Sequence, residues 1–92
     1  MLLNKLSIGQ VVKALSGREQ GRLFFIVEVV DHEYVLISDG KTRKLGKPKL
    51  KKVKHLKIYD FISEEAKQKI ISKQNNTDAF LRAQLTKLDQ RI

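Results

Sequence analysis

One stretch of sequence decides the fold: residues 10 to 27, which read QVVKALSGREQGRLFFIV. Before a short loop that Gly17 and Gly21 bound, apolar residues alternate in part with polar ones, and after the loop residues 23–27 are apolar throughout. Alternation with a period of two is typical of a β-strand that buries one face, and a short apolar run next to a turn is consistent with a strand that is buried on both faces. We therefore predict a strand over residues 8–15, a tight loop, and a second strand over residues 23–30.

The second of these strands should lie in the centre of a sheet. Residues 23–30 are rich in β-branched and aromatic side chains and carry apolar residues at both alternating positions. Such composition is typical of a strand that is buried on both faces. At the end of the preceding loop, Gly21 can take a positive φ without steric cost, so we predict that it bends the backbone there.

Three further strands are predicted downstream, over residues 34–38, 42–45 and 55–59. The dipeptide Asp39-Gly40 is a strong signal for a two-residue hairpin turn that leads into residues 42–45. After that strand, Gly46 and Pro48 interrupt the pattern and predict a turn. Five short strands favour a small, strongly twisted β-barrel over residues 1–58, because closure of the sheet removes exposed edges.

Helix signals dominate the remainder of the chain, residues 59–92. Ser63 is followed by two glutamates, which predicts an N-cap with acidic residues in the first helical turn. This first helix should end near Asn75-Asn76 and a second should begin at Thr77. The second helix carries an apolar stripe of Leu81, Leu85, Leu88 and Ile92 at helical spacing. We expect the extension to pack on or beside the barrel as one folding unit. Burial against a partner protein or a second copy is the alternative for that stripe.

Positive charge is concentrated in one segment. The chain of 92 residues has 19 Lys and Arg against 10 Asp and Glu, a net charge of +9. Residues 41–57 hold nine basic and no acidic side chains, so this basic segment accounts for the whole net charge. Such a segment attracts polyanions and gains free energy from counterion release, which favours nucleic acid as the partner. The alternative is a solvated face that only keeps the protein soluble.

Catalytic and membrane functions find little support. The absence of Cys excludes disulfides, thiolate zinc sites and Cys nucleophiles. His32 and His55 lie in a predicted turn and in a basic run, without a pairing to carboxylates that would indicate a general base or a metal site. Neither a phosphate-binding loop nor a nucleophile elbow is present. Residues 1–12 lack a signal-peptide core, and no apolar run approaches the length of a membrane span. We expect a cytoplasmic protein that is not an enzyme and has no cofactor, metal, membrane or small-molecule substrate.

The stretch 10–27 resembles a KOW motif, and the wider span 8–57 resembles the bacterial KOW-domain RNA-binding proteins. These are similar to KOW-containing large-subunit ribosomal proteins of archaea and eukaryotes. The resemblance implies an SH3-like β-barrel that binds RNA, commonly ribosomal RNA. The central glycine of the motif falls on Gly21 and its basic flanks fall on Arg18 and Arg22. Many KOW loops carry a basic residue just before that glycine, whereas this chain has Gln20, and Glu19 adds a negative charge.

We therefore predict a mostly β fold, an SH3-like five-stranded barrel of KOW type followed by two short helices. The expected function is that of a small basic RNA-binding protein, associated with the ribosome or with translation, that holds the phosphates of structured RNA. Its partners would be ribosomal RNA and ribosomal proteins. Two alternatives stay open: a KOW-type protein-interaction module of the transcription or translation machinery, and a non-specific DNA-binding protein. The predicted RNA-binding residues are Lys13, Arg18, Gln20, Gly21, Arg22, Arg43, Lys44, Lys47, Lys49, Lys51, Lys52 and Lys54.

Overall fold

The structure, a computed structural model, describes residues 6–91 of the chain. The first five residues of the predicted barrel, 1–5, and the last residue of the predicted helical extension, 92, lie outside this range. Within it the elements follow in this order: β1 Gln10–Ala14, β2 Leu23–Val29, β3 Tyr34–Ser38, β4 Lys49–Lys52, a 3-10 turn Val53–His55, β5 Leu56–Ile62, α1 Glu64–Ser72 and α2 Thr77–Asp89. Neither α-helix has the length and apolar character needed to cross a bilayer.

The five strands form one antiparallel sheet in the order β4-β3-β2-β1-β5. The first four strands make a meander, and β5 returns to pair with β1, as in an SH3-like fold. The predicted five-stranded SH3-like fold with two C-terminal helices is therefore confirmed. Among the described residues, however, no pairing joins β4 to β5, so hydrogen bonds do not close the sheet into a barrel.

A contact between distant strands shows that the sheet is curved. The Nζ of Lys51 on β4 donates to the carbonyl of Ser16, which follows β1, at 3.4 Å. Two strands separate β4 from β1, and neighbouring strands lie about 4.8 Å apart. A flat sheet would hold these groups too far apart for this bond. The curvature thus brings the loop after β1 next to the basic segment.

The predicted strand over residues 42–45 is wrong. Residues 39–48 form a loop instead, and the fourth strand begins at Lys49. The Asp39 carboxylate explains the difference, because it accepts hydrogen bonds from the amides of Lys41 and Arg43 and from the Thr42 hydroxyl, each at 2.9 Å. A side chain that takes up these backbone donors competes with a strand ladder. The predicted turn at Gly46 is present, with the Lys47 amide bonded to the Lys44 carbonyl at 2.9 Å.

The other predicted boundaries agree with the structure to within a few residues. The strand predicted over 34–38 matches β3, while β1 is shorter than predicted at both ends and β5 extends three residues further. Ser63 caps α1 as predicted, since its Oγ accepts from the Ala66 amide at 3.1 Å. Helix α1 ends at Ser72, earlier than predicted, because Lys73 rather than an asparagine adopts the left-handed conformation that stops it.

Residues 23–27 of β2 are buried on both faces, as their composition predicts, whereas Glu28 and Val29 at the end of the strand are exposed. On one face Phe24 and Ile26 join a cluster with Val12, Ala14, Val35, Ile37 and Leu56. On the other face Phe25 packs in a second cluster, to which the strands and both helices contribute Val11, Leu23, Val27, Ala66, Ile70, Leu81 and Leu85. The helices therefore cover one side of the sheet. From the apolar stripe of α2, Leu81 and Leu85 are buried there and Leu88 is half-buried, while Ile92 lies outside the described residues.

Candidate nucleic-acid interface

The glycine loop, residues 15–22, connects β1 to β2 in a compact conformation. Gly21 has φ +87°, which confirms the predicted left-handed geometry, and Gly17 has φ +83°. The loop is closed by a hydrogen bond from the Gly21 amide to the Ala14 carbonyl at 2.8 Å. This geometry leaves Arg18 and Gln20 exposed at its tip.

The third residue of that tip, Glu19, points inward. Its side chain is only 9% exposed, and its carboxylate contacts the Nε of Arg43 at 2.9 Å and the Nζ of Lys49 at 3.3 Å. Each carboxylate oxygen therefore has one cationic partner. The negative charge of Glu19, which would repel a polyanion, is thus compensated inside the protein, and the ion pairs link the glycine loop to the basic segment.

Two further contacts join the same parts of the chain. Besides the bond from Lys51 to Ser16, the Nη1 of Arg22 lies 3.5 Å from the Thr42 hydroxyl. The structure thus brings seven of the predicted residues into one neighbourhood, which we call the loop surface: Arg18, Gln20, Gly21, Arg22, Arg43, Lys49 and Lys51.

The other predicted residues lie elsewhere. On β1, Lys13 is half-buried opposite Lys57 of β5. Strand alternation turns Lys52 to the opposite face from Lys51, with its Nζ 5.8 Å from the centre of the Tyr34 ring. With Lys54 it lines a cleft of about 260 Å³ at the β2–β3 turn. Lys44 lines a cleft of about 810 Å³ that faces the α1–α2 connection, and Lys47 is exposed on the same loop.

Two carboxylates beside this surface have lowered pKa values. Burial raises the pKa of Glu19, but the hydrogen bonds and charges of Arg43 and Lys49 outweigh it and hold the pKa below the ordinary value of 4.5. Burial also raises the pKa of Asp39, and the donors of residues 41–43 outweigh that effect, so its pKa lies below the ordinary 3.8. The charged form of both carboxylates is therefore favoured more in the folded protein than in the unfolded chain.

We expect the free energy of unfolding to decrease as the pH falls below about 4. A folded-state pKa that lies below the unfolded one contributes stability above the unfolded pKa, and this stability is lost as the pH falls through the folded pKa. Urea denaturation between about pH 6 and pH 2 measures it. The variant E19Q/D39N should show a flatter profile than the wild type, whereas the control E28Q/D60N, at exposed carboxylates, should not. Equal profiles for the two variants would contradict this account.

Sequence comparison supplies an independent line of evidence. No protein-family model matches the chain. It is 37% identical over 59 residues to large ribosomal subunit protein eL14 of Pyrobaculum arsenaticum, across 64% of this chain and 57% of that protein. For eL14 of Staphylothermus marinus the identity is 34% over 55 residues, across 60% of this chain and 57% of that protein. The chain thus spans little more than half the length of these two relatives.

A third relative is matched over most of its length. The putative ribosome-binding protein YbzG of Bacillus subtilis is 33% identical over 63 residues, which cover 68% of this chain and 85% of that protein. The SH3-like sheet and the loop built around Gly21 agree with these similarities. The chain therefore belongs to the family of YbzG, as a KOW-domain protein similar to a large-subunit ribosomal protein.

Proposed function

We propose that this protein associates with the ribosome and binds structured ribosomal RNA, chiefly through contacts to phosphates. One observation carries the proposal: Glu19 is turned inward and tied to Arg43 and Lys49, so the loop surface presents basic groups from two distant parts of the chain together. The names of the relatives, two large ribosomal subunit proteins and a putative ribosome-binding protein, support the same partner. Ribosomal proteins next to the bound RNA would be further partners.

The side chains of the loop surface suit phosphates better than bases. Arginine and lysine dominate it, and none of its seven residues is aromatic. Contacts to phosphates position a protein on RNA but do not read sequence, and without stacking groups the protein would recognise mainly the shape of folded RNA. We infer that this surface alone confers little sequence specificity.

The structure favours RNA binding over the protein-interaction alternative. That alternative would use Leu81, Leu85 and Leu88 of α2, but Leu81 and Leu85 are buried against the sheet and Leu88 is half-buried against the same cluster. Leu81 and Leu85 are therefore not accessible to a partner in the folded protein. The DNA-binding alternative uses the same charges, so a direct comparison of the two nucleic acids must separate it from the proposal.

Sedimentation tests the proposal in its biological setting. We expect the protein to migrate with large ribosomal subunits when lysate of cells that express it is spun through a sucrose gradient at about 50 mM salt. At roughly 500 mM salt it should remain at the top of the gradient, because added ions displace a protein held by charge. Absence from the ribosomal fractions at both salt concentrations would refute ribosome association.

A further inference from the structure

A cleft of about 340 Å³ lies where the glycine loop and the loop 39–48 meet helix α2. Three basic side chains from three parts of the chain line it: Arg22, Lys41 and Arg82. Of these three, only Arg22 is among the RNA-binding residues predicted from the sequence. The cleft adjoins Gly21, the central glycine of the KOW-like loop, so it is continuous with the loop surface.

Arg82 is held in place without using all of its donors. One guanidinium nitrogen, Nη1, donates to the Gly40 carbonyl at 2.7 Å. An arginine has five N–H groups in a planar fork, so others remain for a ligand. The bond of Arg22 to Thr42 is long, at 3.5 Å, and is therefore weak enough to exchange for a phosphate oxygen.

The acidic residues of the cleft do not cancel this charge. Asp39 is buried, and its two oxygens already accept three hydrogen bonds within the loop 39–48. Asp89 is exposed at the far end of α2. The cleft therefore carries three cations and two carboxylates, of which one is hydrogen-bonded inside the protein and the other is exposed to solvent. Its net charge is positive.

Two apolar side chains also line the cleft. Leu23 and Leu85 line it, and each is only 6% exposed. No aromatic side chain is among the described lining residues, so the cleft offers no platform for stacking a base. Three cations beside a small apolar surface suit a phosphate with its neighbouring ribose, whose carbon atoms can contact the leucines.

We propose that this cleft binds a phosphodiester of the RNA backbone and so extends the RNA interface from the glycine loop onto helix α2. The inference rests on the proposed function and adds Lys41 and Arg82 to the residues that contact RNA. It also gives the C-terminal part of the chain a direct role in binding, beyond covering the sheet.

The test compares two double variants that remove the same charge. In K41Q/R82Q both substitutions lie in the cleft, whereas in K87Q/R91Q both lie at exposed positions that do not line it. Fluorescence titration with structured fragments of large-subunit ribosomal RNA gives the affinity at several salt concentrations. We expect K41Q/R82Q to bind about tenfold or more weakly near 100 mM salt, with a salt slope shallower by roughly 1.5 to 2. The control should lose less than about threefold and keep its slope.

The single variant K41Q separates a loss of binding from a loss of stability, because substitution of Arg82 also removes its hydrogen bond to the Gly40 carbonyl. Within residues 6–91 the Lys41 side chain makes no hydrogen bond or ion pair, so K41Q should keep the melting temperature and lower the slope by roughly 0.9. An equal loss of RNA affinity in the two double variants would refute phosphate binding in the cleft but not the proposed function. Failure of the wild-type protein to bind RNA at about 50 mM salt would overturn both.

Discussion

The triple variant R18Q/R22Q/K51Q should bind structured ribosomal RNA about a hundredfold more weakly than the wild type near 100 mM salt. All three residues belong to the loop surface, and each phosphate contact that is lost reduces the free energy gained from counterion release. The fold should persist, because these side chains make only exposed polar contacts within residues 6–91. Lys49 is left unchanged because it is paired with the buried Glu19.

A matched variant separates local contacts from net charge. The variant K67Q/K87Q/R91Q also removes three positive charges, but from the C-terminal helical part of the chain, away from the loop surface. It should bind RNA within a few-fold of the wild type, as long-range attraction alone is screened within about 10 Å at this salt concentration. A large loss of melting temperature in R18Q/R22Q/K51Q, with RNA affinity unchanged, would refute the division between binding surface and core.

Gly40→Ala should lower the free energy of unfolding by about 3 to 5 kcal/mol. Gly40 has φ +72°, and an added Cβ would overlap the Asp78 carbonyl oxygen and lie 2.9 Å from the carbonyl carbon. The helix cannot easily retreat, because Asp78 Oδ1 also accepts the Leu45 amide at 2.7 Å and Arg82 bonds the Gly40 carbonyl. Backbone strain and overpacking therefore add, and chemical denaturation measures their sum.

Two other glycines serve as controls for this substitution. An added Cβ at Gly21 meets no atom within 4 Å, but its φ of +87° is strained for alanine, so Gly21→Ala should cost about 1 kcal/mol. Gly46 has neither a positive φ nor a close neighbour, and Gly46→Ala should be nearly neutral. Equal costs at Gly40 and Gly21 would show that the loop 39–48 does not pack on α2 as described.

Local patterns predicted most of the fold. The strand patterns on either side of the loop in residues 10–27 predict β1 and β2, and glycine at position 21 permits the positive φ found there. Both features depend on near neighbours in the sequence. Ser63 and Thr77 likewise mark the starts of the helices as predicted. The fourth strand was misplaced because Asp39 diverts the backbone donors of the next residues, and a sequence pattern alone does not show that a side chain takes them.

The candidate site was less predictable than the fold. The concentration of charge in residues 41–57 is visible in the sequence. Which of these lysines lie beside the glycine loop is not, since this depends on where β4 begins and on its register against β3. The inward turn of Glu19 depends on Arg43 and Lys49, which lie 24 and 30 residues further along the chain. Arg82 approaches the glycine loop only because the stripe of α2 packs on the sheet. No local sequence signal could have identified the inward position of Glu19 or the approach of Arg82 to the glycine loop.

The dependence of RNA affinity on salt tests the central claim, binding by charge, most directly. If about five to seven basic residues contact phosphates, log K against log salt should fall with a slope of roughly −3.5 to −6. Between about 50 and 200 mM salt the affinity should then fall a hundredfold to several-thousandfold. Fluorescence titrations of structured ribosomal RNA fragments and of matched duplex DNA measure this, and the account predicts tighter binding to the RNA throughout. A slope near zero would contradict binding by charge, and equal affinity for the duplex DNA would contradict the assignment to RNA.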